Sequence, residues 1–100
     1  MAEQPKGREL KINFPAQLVG GVYSNLMRIV HTKEEFIMDF MMVSENMGAV
    51  TARVIMSPGH MKRTIVALHD NLKGYETKIG AIEEAPAPKA KLGFPPPKST

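Results

Sequence analysis

An α+β fold is predicted by three features of the chain. Four segments of strand length carry alternating or continuous apolar residues, one long segment carries apolar residues in steps of three and four, and the helical segment comes last. The architecture these imply is a four-stranded antiparallel sheet, meander-like, followed by one long amphipathic C-terminal helix.

Residues 9–15 (ELKINFP) alternate, with Leu10, Ile12 and Phe14 facing one way and Lys11 and Asn13 the other. They are expected to form a half-buried strand, ended by a proline that has no N–H to donate. In AQLVGG, Gly20 and Gly21 suit either a turn or a bulge. Residues 22–30 (VYSNLMRIV) read as a second strand, with Leu26, Arg28 and Val30 on one side and Met27 and Ile29 on the other. HTKEE then supplies a hairpin connection.

The third strand, EFIMDFMMV over residues 35–43, is apolar on both sides. Phe36, Met38, Phe40 and Met42 oppose Ile37, Asp39, Met41 and Val43. SENMG makes a turn, and residues 49–56 (AVTARVIM) form the fourth strand. Alternation there predicts Val50, Ala52, Val54 and Met56 on one face and Ala49, Thr51, Arg53 and Ile55 on the other.

The period then changes. Ser57 is suited to cap a helix and Pro58 to open it, since the first-turn N–H that proline lacks has no intrahelical partner anyway. Met61, Ile65, Leu68, Leu72, Tyr75 and Ile79 form one stripe along roughly 30 Å of helix at 1.5 Å per residue. Gly80 ends it. The single domain therefore spans residues 9–80, with a flexible N-terminus over 1–8. A Pro-rich disordered tail is expected over 82–100, which holds five of the eight prolines.

Charge and composition exclude several classes. The net charge is +3, and residues 1–82 carry ten Lys/Arg against eight Asp/Glu, so the excess is small and interspersed. No apolar run has the length of a membrane span, and no hydrophobic stretch follows the N-terminus as a signal peptide would require. The chain has no cysteine, which removes disulfide, thiolate-metal and thiol chemistry and suits the cytoplasm.

The two apolar faces of residues 35–43 raise a question of cover. One helix covers one face, and roughly 70 folded residues bury too little for a robust monomer. The expectation is self-association, as a homodimer or tetramer, through the sheet face bearing Ile37, Met41 and Val43. The alternative cover is AQLVGG or the Pro-rich tail folded across a central strand. Eight methionines, four of them in or beside this strand, fit an adaptable core or a surface that accepts varied apolar partners.

Among candidate site residues, Asp39 stands first. A carboxylate flanked by Ile37, Met41 and Val43 needs a partner, and Arg28 and Arg53 on neighbouring strands are placed to supply it across the sheet. The expected role is an ion pair fixing register or an interface. Tyr23, Lys33, Lys62 and Arg63 are candidates for a weak nucleic-acid contact, set against interspersed Glu34, Glu35, Glu45, Asp70 and Glu76. His60 and His69 are nine apart on the helix, roughly 13 Å along it, so they cannot share one ion within a chain. No metal, cofactor or catalytic residue is expected: Ser57 is used as a cap, and no nucleophile-elbow or phosphate-loop pattern occurs.

Gly21 with Tyr23, Ser24 and Asn25, then His31 leading into Glu35, Phe36, Asp39 and Phe40, form one block. Arg53, Ser57, Pro58, His60, Lys62 and Arg63 form a second. Over residues 10–80 these blocks resemble a small prokaryotic family known only as a domain of unknown function, number 3467. The resemblance implies a compact cytoplasmic domain and carries over no activity, substrate or catalytic residue. The strands-then-helix order also resembles the layout of the export chaperone SecB, a likeness of fold that warrants little about function. The expected role is a small non-enzymatic, self-associating interaction or assembly protein, with another protein as a further partner. The alternatives are a weak nucleic-acid-binding module and a chaperone-like binder of apolar segments.

Overall fold

The computed structural model describes residues 8–88 and 91–94. The expected flexible N-terminus falls almost entirely on residues 1–7, which lie outside the described residues, as do tail positions 89, 90 and 95–100. The α+β class holds. Strands β1 (Leu26–His31), β2 (Phe36–Val43) and β3 (Gly48–Met56) pair antiparallel in the order β1-β2-β3, and helix α1 (Pro58–Lys78) follows.

Among the described residues the sheet has three strands, not the expected four. Residues 9–15 form no strand and pair with none among the described residues, and Leu10, Ile12 and Phe14 stand exposed. Alternation says which way side chains would point in a strand. It does not supply the neighbouring edge whose N–H and C=O groups a strand requires. A SecB-like layout, which needs the fourth strand, is not formed among the described residues.

The second expected strand also starts late, at Leu26 rather than Val22. Ser24 and Asn25 engage the sheet with their side chains instead. The Asn25 amide donates to Val43 O at 2.8 Å and accepts from Val43 N at 2.9 Å, so it imitates a backbone pair and prolongs the ladder by one rung. Ahead of it, a 3₁₀ turn over Ala16–Leu18 runs into Gly21, whose φ of +69° is open to glycine at little cost.

Both hairpins close through short polar turns. Thr32 N donates to Glu35 O at 2.8 Å, while its hydroxyl accepts from Glu34 and Glu35 N–H. Ser44 N donates to Met47 O at 2.8 Å. A bulge interrupts the β2–β3 register: Phe40 faces Ala52, but Met41 faces Val50, leaving Thr51 extra. The Thr51 hydroxyl donates to Phe40 O at 3.2 Å. The bulge corrects the expected faces of the last strand, because one extra residue reverses parity. Val50 joins the Asp39 face with Arg53 and Ile55, and Ala49 moves to the opposite face.

Helix α1 begins as its sequence dictates, with the Ser57 hydroxyl accepting from His60 N at 3.2 Å and Pro58 in the first turn. It ends at Gly80, whose φ of +147° is disfavoured for any residue with a Cβ. Its root touches the sheet. Met61 lies beside Ile29 and Phe36, and the Thr64 hydroxyl reaches the Met56 sulfur at 3.5 Å. Beyond that turn the helix leaves the sheet, and Met61 is its one buried residue. Buried apolar side chains among the described residues are Met38, Met41 and Met61.

Candidate functional site

The central strand carries Asp39 between Arg28 of β1 and Arg53 of β3, and the register sets all three directly opposite one another. Direct opposition puts the side chains on one face and within reach. Arg53 grips the carboxylate from one side, Nε to Oδ1 at 2.6 Å and Nη2 to Oδ2 at 3.0 Å. Arg28 donates its Nη2 to Oδ2 at 2.9 Å. The Asp39 side chain is 1% exposed, whereas Arg53 is more than half exposed and Arg28 about a third.

Electrostatics follow from that arrangement. Arg53 foremost, then Arg28, hold the Asp39 carboxyl far below the ordinary carboxylate range, although burial alone would push it up. The Arg53 guanidinium is correspondingly raised by its hydrogen bond to Asp39. A carboxylate fixed as an anion, with donors on both oxygens, suits the locking of three strands in one register. It has no accessible proton to exchange near neutral pH.

Ile37, Met41 and Val43 share this face, as expected. Met41 is buried, and Ile37 and Val43 are half-buried. Part of the cover comes from the Pro-rich tail: residues 91–94 line a hollow with Met41, Val43 and Val50. The Phe94 ring lies over the Arg28 guanidinium, 3.7 Å from its carbon to the ring centroid, a cation–π contact. Arg28 Nε is buried here with no hydrogen-bond partner among the described residues. The Pro-rich tail as cover is the alternative the sequence offers; that Phe94 is the residue set on Arg28 is not legible there.

The four candidates for nucleic-acid contact do not form one patch. Lys62 lines the hollow under the helix root with Phe36, at the end of the sheet where the turn carrying Lys33 also lies. Arg63 is beside them on the helix, its Nη2 3.2 Å from the His60 ring. Tyr23 is at the other end, its carbonyl 3.4 Å from the Thr51 hydroxyl. The five residue steps of β2 from Phe36 to Met41 separate the ends by roughly 17 Å at 3.4 Å per residue.

No helix among the described residues is long and apolar enough to cross a membrane. The chain matches no curated protein and no solved structure. One family model matches it over residues 1–84, that of Protein of unknown function (DUF3467).

Proposed function

We infer, for a chain that belongs to the DUF3467 family of proteins of unknown function, a non-enzymatic role as a self-associating interaction or assembly protein. One observation carries the reading: α1 has 21 residues and buries only Met61, so its stripe of Ile65, Leu68, Leu72, Tyr75 and Ile79 faces solvent. Amphipathic helices draw most of their stability from packing that stripe, and a stripe this long calls for cover.

The accessible surface supports the same reading. It is 9725 Å², against roughly 5600 Å² for a compact chain of 11.0 kDa. Obligate interfaces bury about 2,000–5,000 Å² in total, or about 1,000–2,500 Å² per partner, and the excess on one chain is larger than that share.

The helix stripe is exposed along its length, whereas on the sheet face around Met41, which residues 91–94 line, Met41 is buried and Ile37 and Val43 are half-buried. Self-association is therefore assigned chiefly to α1, with the cytoplasm as its setting. Light scattering coupled to size exclusion tests it on the full chain. The native chain should run as a dimer or tetramer, and the double variant Leu68→Lys, Leu72→Lys as a monomer with unchanged strand content. A native monomer at high concentration overturns the reading.

A further inference from the structure

We propose that residues 9–15 of one copy pair, as a fourth strand, with the open edge of β1 in a second copy. The proposal deepens the self-association reading and rests on it. Its occupant is a second copy of this chain, and its surface is the outer edge of Leu26–His31.

Residues 9–15 have the composition of a strand without having a partner. Ile12 is 79% exposed, Leu10 and Phe14 are also exposed, and no backbone hydrogen bond joins residues 9–14 to another described residue. Their length, seven residues, matches the six of β1. Among the described residues β1 pairs with β2 alone, and its other edge meets no strand. Natural edge strands are usually guarded by proline, lysine or a bulge. The LMRIVH sequence of β1 has neither residue, and the bulge at Thr51 lies on β3 instead.

The chain's path argues for pairing between copies. Just before β1, Tyr23 O lies 3.4 Å from the Thr51 hydroxyl of β3, whose single proton it shares with Phe40 O at 3.2 Å. The backbone just before β1 is thereby held on the β3 side of the central strand, away from the open β1 edge, and residues 9–14 make no backbone hydrogen bond to either strand among the described residues. In a second copy that edge is free, and the added strand would shield Leu10, Ile12 and Phe14 while satisfying both sets of backbone groups. The surface excess is large enough to accommodate this contact beside the helix contact.

The chain contains no cysteine, so introduced thiols are the only ones. A full-length Ile12→Cys chain is mixed with full-length chains carrying Ile29→Cys or Val30→Cys, which lie on opposite faces of β1, or Val54→Cys or Ile55→Cys on β3. A short bismaleimide then reads proximity, and size tags distinguish the two chains. Cross-linking between position 12 and position 29 or 30 of different chains is expected. Cross-linking only to 54 or 55, only within one chain of an Ile12→Cys, Ile29→Cys double variant, or not at all in a scattering-confirmed oligomer overturns strand pairing and leaves self-association standing. A native monomer overturns both. In parallel, Ile12→Pro removes one ladder donor and should raise the dissociation constant at least about tenfold, while Ile12→Val leaves it unchanged. Equal constants for the two variants overturn the proposal.

Discussion

Burial alone would push the Asp39 carboxyl toward its neutral form, and Arg53 and Arg28 reverse that preference. The folded-state pKa therefore lies below the ordinary carboxylate value of about 4. Stability from the carboxylate is whole above that value and is lost as pH falls below it. Replacing Asp39 by Asn should lower the melting temperature at pH 7, since two guanidiniums then face each other without a counter-charge. The gap to the native chain should hold from pH 7 to about 4 and narrow from there toward pH 2, because the unfolded chain then takes up a proton that the folded carboxylate refuses. Circular dichroism melts across that range read the gap, and a constant gap would refute the assignment. The pairing was legible in the sequence, because one carboxylate among apolar residues on a central strand needs opposite charges at matched positions. Asn25 was not. Its side chain substitutes for a strand residue's backbone at Val43, and local sequence does not reveal which carbonyl an amide will meet.

At the scale of elements, α1 was read correctly from cap to stop because its signals are local: Ser57, Pro58, the stripe and Gly80. Gly74 is its weak point. A Cβ added there meets nothing within 4 Å. Gly74→Ala should therefore stabilise the chain by roughly 0.5–1 kcal/mol, seen as a higher melting temperature with greater helical dichroism. A loss of stability would mean that another surface lies close against that position in the assembly. The strands were less legible. The Thr51 bulge has no glycine or proline to announce it, yet it moves Val50 to the Asp39 face and joins that residue to the surface beneath residues 91–94.

For the molecule as a whole, the radius of gyration is 17.2 Å, against about 13 Å for a compact chain of this length. Three buried methionines make a small core, and the helix stripe and residues 9–15 remain open to solvent. Folding and association are then linked: whatever binds the folded state stabilises it by mass action. The melting temperature should rise steadily as protein concentration is raised over two decades. A concentration-independent transition would contradict the linkage. The exposed tail segment adds a cover of its own on the Asp39 face, whereas the helix stripe is exposed along its length.

By itself the sequence determined the α+β class, the two hairpins, the helix with both its ends, and the match of Asp39 to Arg28 and Arg53. Each of these is written in periodicity, in capping residues or in charge placed at a register position, all properties of neighbouring residues. Only the tertiary structure decided that residues 9–15 meet no strand among the described residues, that Thr51 is extra, and that Phe94 lies on Arg28. Those outcomes depend on which distant edge or face is free to be met, and alternation along a segment encodes its orientation without encoding its neighbour.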